Sequence, residues 1–79
     1  MTHLERLERA FLDAKELGKP VYVDVKMPNC TATERIINPP ENIDAKLAYY
    51  KSAYDDNLYL KANMGIEIVS FGYIHIHND

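Results

Sequence analysis

Between Leu17 and Val21 the hydrophobic period of the chain changes from that of a helix to that of a strand, with only Gly18, Lys19 and Pro20 in between. Upstream, Leu4, Leu7, Phe11 and Ala14 follow the i, i+3, i+7, i+10 spacing of one helical face, which predicts a helix over residues 2–17. Leu17 extends the stripe by a turn, while Glu5, Arg6, Arg9, Asp13 and Glu16 fall mostly on the other side. Thr2 and Glu5 have the spacing of a capping box, in which each side chain satisfies an orphan amide of the first turn. Gly18 supplies a left-handed stop, Lys15 suits the negative end of the helix dipole, and Pro20 forbids continuation. Downstream, Val21, Val23, Val25 and Met27 alternate with Tyr22, Asp24 and Lys26. This is a strand over 21–27 whose β-branched residues face the first helix.

Two breaks organise the rest. Pro28 and Asn29 end the strand in a turn, and residues 31–37 return antiparallel as a second strand. Asn38-Pro39-Pro40 then holds the backbone extended, because a residue before proline is pushed out of the α region. Pro40 serves as a first helical residue, with Glu41 favourable in the first turn. Ile43, Leu47, Tyr50, Tyr54 and Leu58 form the next stripe. The helix propensity of Leu, Lys and Ala and the unbroken phase favour one long helix to Ala62, stopped by Asn63 to Gly65. The competing reading ends the helix near Tyr54 and makes Leu58 to Lys61 a short strand.

Residues 66–76 read as the last strand. Its alternation changes phase between Ile68 and Val69 and again after Tyr73, which a bulge near Ser70 or Gly72, or burial on both faces, would explain. The expected fold is a single α+β domain over 1–79, in the order α-β-β-α-β. A three-stranded sheet carries both helices on one face, and the second helix makes a right-handed crossover to a parallel neighbour. The other face stays partly open and displays Tyr22, Asp24 and Lys26.

At 79 residues such a domain buries only about 60–65% of its unfolded surface, so its stability is modest, on the order of 5 kcal/mol. Twelve carboxylates against nine Lys and Arg leave a net charge of −3, which argues against non-specific binding to nucleic acid or anionic membrane. Cys30 is the only cysteine, so no intrachain disulfide can form and a small secreted scaffold is not expected. The charges of Glu5, Arg6, Glu8 and Arg9 do not fit the apolar core of a signal peptide, and no stretch reaches the ~20 apolar residues of a membrane span. The expected location is the cytoplasm.

Ile36-Ile37-Asn38-Pro39-Pro40-Glu41-Asn42-Ile43, followed by Lys46-Leu47, Tyr49-Tyr50-Lys51, Tyr54-Asp55-Asp56 and Leu58 to Lys61, resembles small uncharacterised proteins of phages and prophages of Gram-positive bacteria. The resemblance spans residues 36–74. It lies in helix and turn residues, so it implies a genomic setting and no functional residues.

Candidate chemistry is sparse. His75 and His77 would share one face of a strand about 6.5–7 Å apart, with Asp79 next, but a metal site there needs a further ligand and His3 is the only other histidine. A solvated tail is the simpler reading. Cys30 has no base beside it to depress its pKa and reads as a small turn residue. Asp24 and Glu67 lie mid-strand and could face one another, yet nothing places them in a pocket, and exposed strand charges explain them. There is no phosphate loop, HExxH, nucleophile elbow or zinc spacing, so neither an enzyme nor a cofactor is expected.

Six tyrosines stand out. Tyr50 and Tyr54 fall on the core stripe, whereas Tyr22, Tyr49 and Tyr59 are candidates for the surface, where tyrosine anchors interfaces at low entropic cost. The sequence therefore reads as a non-enzymatic binding protein working by protein–protein contact, with Tyr22, Asp24, Lys26, Tyr49 and Tyr59 as interface candidates. In the phage setting it would be an accessory factor or an inhibitor of a host protein. The alternative is a homo-oligomer pairing through a strand edge. A nucleic-acid binder, with bases stacked on these tyrosines beside Lys26, Arg35 and Lys61, ranks below both.

Overall fold

A computed structural model describes residues 1–74. Helix α1 spans His3–Leu17 and is capped at both ends as its sequence predicts. The Thr2 hydroxyl accepts from the Glu5 amide, the Glu5 carboxylate accepts from the Thr2 amide, and Gly18 adopts the left-handed conformation at φ 66°. Leu7, Phe11 and Ala14 are fully buried, but Leu17 is exposed, so the buried stripe ends one turn sooner than expected.

Strand β1 is Val21–Lys26 and β2 is Thr33–Asn38, paired antiparallel with Val23 opposite Ile36. A 3-10 turn at Pro40–Asn42 leads into helix α2, Ile43–Ala53. Strands β3, Tyr59–Leu60, and β4, Asn63–Tyr73, close the fold. Among the described residues the sheet has four strands in the order β2-β1-β4-β3, all antiparallel.

Three expectations are corrected here. The long second helix does not form, because the chain leaves the helix at Tyr54, whose backbone is extended. Asp55, Asp56 and Asn57 prefer side chain–backbone bonds to helical ones, and the Asp55 carboxylate accepts from the amides of both Asn57 and Tyr59. Leu58 closes the turn in the left-handed region, at φ 67°, and its amide donates to the Asp55 carbonyl. The sheet has four strands rather than three, because ending α2 early leaves room for β3 and a tight turn at Lys61-Ala62. That turn reverses the chain once more than a simple crossover would, so β4 meets β1 antiparallel rather than parallel.

The stripe residues are nonetheless all inside. Ile43, Leu47, Tyr50, Tyr54 and Leu58 join Leu7, Phe11, Ala14, Val21, Val23, Val25 and Ile68 in one core cluster. The Tyr50 ring meets Phe11 edge-on with centroids 5.6 Å apart. Burial pushes the Tyr50 hydroxyl pKa up, partly offset by a hydrogen bond from the Asn38 side chain. The two helices are also tied at their surface by Lys15 to Asp44, at 2.8 Å, and Lys51 to Glu8, at 2.7 Å. Such exposed pairs contribute about 0–1 kcal/mol each. No helix among the described residues is long and apolar enough to cross a membrane.

Candidate functional site

With the core on the valine side of β1, the opposite side of the sheet carries the residues between the valines. Directly paired residues of an antiparallel sheet share a face, so the register fixes three cross-strand rows on that open side. Ile37, Tyr22 and Gly72 form the first, Arg35, Asp24 and Ser70 the second, and Thr33, Lys26, Glu67 and Tyr59 the third. The register shifts between Asp24 and Val25, which makes Val69 the extra residue of a bulge, near Ser70 as the phase change indicated. Val69 is 47% exposed, which removes burial on both faces as the explanation.

The centre of this face is a preorganised cluster. Arg35 binds Asp24 through two parallel bonds, Nε to Oδ1 at 2.8 Å and Nη2 to Oδ2 at 3.0 Å. The same guanidinium lies 4.2 Å from the centroid of the Tyr22 ring. The ring in turn covers Gly72, where an added Cβ would sit 3.2 Å from its edge. A planar, bidentate and stacked guanidinium has lost most of its rotational freedom before any partner arrives. The hydrogen bonds from Arg35 hold the Asp24 carboxyl below the usual carboxylate range, against the opposing effect of burial.

Asp24 corrects the sequence reading. It is buried, with its side chain 13% exposed, rather than an exposed strand charge, because Arg35 lies across it. Its neighbour on β4 is Ser70 and not Glu67, which stands between Lys26 and Tyr59 in the adjacent row. Tyr22, Lys26 and Tyr59 share the open face, Tyr22 and Tyr59 half-buried and Lys26 exposed. Tyr49 does not join them. It lies on α2, 51% exposed, with its ring against Tyr50. Sequence reasoning missed Arg35 as the organiser of the cluster. The signal was the hairpin itself, since pairing β1 with β2 puts residue 35 opposite residue 24.

Other candidates find less support. Cys30 is exposed in the turn after β1, its amide donating to the Met27 carbonyl. No group of three or more His, Cys, Asp or Glu that could hold a metal occurs among the described residues, and His75, His77 and Asp79 lie outside them. The depression bordered by Arg9, Leu12, Asp13, Lys15 and Glu16 is formed by α1 alone. Comparison with protein-family models, curated proteins and solved structures finds no match.

Proposed function

We propose that the protein is a small non-enzymatic binding module that recognises another protein through the open face of its sheet. The observation that carries this reading is the Arg35 guanidinium, fixed by Asp24 and stacked on Tyr22 on a sheet face that no helix or strand among the described residues covers. Interfaces favour aromatic and arginine anchors whose entropy has been lost in advance, ringed by polar groups. Lys26, Glu67, Thr33 and Ser70 are exposed or half-buried around the cluster and supply such a rim. The resemblance of residues 36–74 to phage and prophage proteins supports a host protein as the target, with the chain acting as accessory factor or inhibitor.

The test is paired capture from a host lysate with three baits. One is the wild-type protein, one carries Lys26→Glu with Ser70→Arg on the open face, and one carries Leu12→Asp on the outer side of α1. A partner held by wild type and the α1 variant but lost by the open-face variant supports the proposal. A partner indifferent to the open-face changes, or lost with Leu12→Asp, overturns it.

A further inference from the structure

The two edges of the sheet are built differently. One ends in β3, only two residues long, next to a β4 bulged at Val69, and both features discourage pairing with another chain. The other edge is β2, six residues in unbroken register with β1 and with no proline inside it. Its hydrogen-bonding direction follows from a single bond. The Ile74 amide donates to the Pro20 carbonyl at 2.8 Å, so Pro20, Tyr22 and Asp24 turn their backbone groups towards β4. The alternation of an antiparallel strand then turns Val21, Val23 and Val25 towards β2. Their partners Asn38, Ile36 and Glu34 face inward, which leaves Thr33, Arg35 and Ile37 with amides and carbonyls directed to the outer edge. No strand among the described residues pairs there.

The geometry points to a second copy of this chain as the occupant of that edge, β2 against β2 antiparallel about a two-fold axis through Ile36. The side chains select the register. Residues directly opposite must share a face, so only even shifts are allowed. Setting Arg35 opposite the second copy's Arg35 confronts like charges. A shift of two residues one way confronts Glu34 with the second copy's Glu34. A shift of four residues the other way puts Pro39 opposite Arg35, so that proline, which has no amide, interrupts the pairs next to the axis, whereas in the register that remains Pro39 stands opposite Thr33 at the ends of the ladder.

The remaining register sets Ile36 against the second copy's Ile36 and Arg35 against the second copy's Ile37. Four backbone hydrogen bonds form, two in each Arg35–Ile37 pair. Phe71, Val23 and Ile36 already stand side by side in one row on the core face, and the row ends at an Ile36 that is 36% exposed. In the dimer that row continues into the second copy without a break.

Ile36 then occupies a non-hydrogen-bonded pair, where opposed Cα atoms lie about 4.5 Å apart and a disulfide can form. Two Ile37 residues are displaced along the strands, with Cα atoms more than about 7 Å apart, beyond bridging range. The test uses the full chain carrying Cys30→Ser, with either Ile36→Cys or Ile37→Cys added, under mild oxidation, followed by denaturing electrophoresis without reductant. The expected result is a covalent dimer from Ile36→Cys and at least tenfold less from Ile37→Cys.

Sedimentation of wild type should show a mass rising from 9.1 kDa towards twice that value with concentration, and Ile36→Lys should abolish the rise. A 9.1 kDa species persisting at about 1 mM, where a free energy near 4 kcal/mol already half-populates a dimer, overturns the inference. Preferential cross-linking by Ile37→Cys overturns it equally. Because Ile36 lies on the core face and Lys26 and Ser70 on the other, loss of the dimer and loss of partner capture are separate outcomes.

Discussion

Leu58 is a buried leucine in a backbone conformation that leucine avoids. It is 3% exposed and sits at φ 67°. Two terms of opposite sign act there. Truncating a buried leucine to alanine costs roughly 2–5 kcal/mol in lost burial and residual cavity. The left-handed conformation costs a residue with a Cβ about 1–2 kcal/mol, a cost that alanine keeps and glycine escapes. Glycine also loses about 0.5–1 kcal/mol more backbone entropy on folding. Net, Leu58→Gly should be the more stable variant by about 0.5–1 kcal/mol. In a domain of this size that is roughly 2–8 °C in melting temperature.

The control is Leu47, also buried but within α2, where alanine should be better than glycine by about 1 kcal/mol. Thermal unfolding of four variants by circular dichroism reads the result. The expected finding is a reversal of the alanine–glycine order between the two positions. If Leu58→Ala melts at or above Leu58→Gly, residue 58 is not left-handed, and the account of why α2 ends at Ala53 fails with it.

Arg35→Gln should raise the Asp24 carboxyl pKa in an NMR titration, because the arginine's hydrogen bonds and charge hold it down and burial then acts on it unopposed. Because the folded pKa of Asp24 is depressed, the pair's contribution is fully present above the unfolded value, about 4, and is lost as pH falls through the lower folded one. The melting-temperature gap between wild type and Arg35→Gln should thus be constant near neutrality and close in acid; a gap unchanged at pH 2 refutes the ion-pair account. Thr2→Ala should destabilise the domain by about 1 kcal/mol through loss of the cap, and should move the Glu5 carboxyl only part of the way back up, since the larger cause of its lowered pKa is the bond from the Thr2 backbone amide. A Glu5 pKa fully normalised in that variant would show that the hydroxyl and not the backbone holds it.

Local chemistry at the chain's start is legible because every signal agrees. Thr2, Glu5 and Gly18 delimit α1, and the valines of β1 alternate without interruption. The end of α2 was not legible from periodicity, because burial alone does not specify backbone. Tyr54 and Leu58 are buried as the stripe demands, but the chain reaches Leu58 through a turn and not a helix. The opposing signal was present in Asp55-Asp56-Asn57, three poor helix formers in succession, and it prevailed over the phase of the stripe. The open-face cluster depends on register, which alternation cannot supply. Tyr22 and Lys26 could be read as surface residues singly. Their row neighbours Gly72 and Glu67 lie over forty positions away in the chain, and no local pattern links them.

The open face also constrains the kind of partner. Its cations are Arg35 and Lys26 and its carboxylates are Asp24 and Glu67, two against two, each directly opposite a residue of the other sign. Arg35 is neutralised by Asp24 at hydrogen-bond distance, so little field extends from the face to steer a charged ligand. A nucleic acid bound there would have to release counterions through free cations, and affinity would fall about 10³–10⁵-fold between 50 and 200 mM salt if six to ten phosphates were contacted. A protein bound through Tyr22, the stacked guanidinium and the surrounding rim has no such dependence. Binding of a captured partner by the wild-type chain, measured over that salt range, should therefore change by less than about tenfold, with the loss concentrated in the association rate. A steep fall would show that the partner is read through charges elsewhere on the molecule, and would bring the nucleic-acid reading back ahead of the protein one.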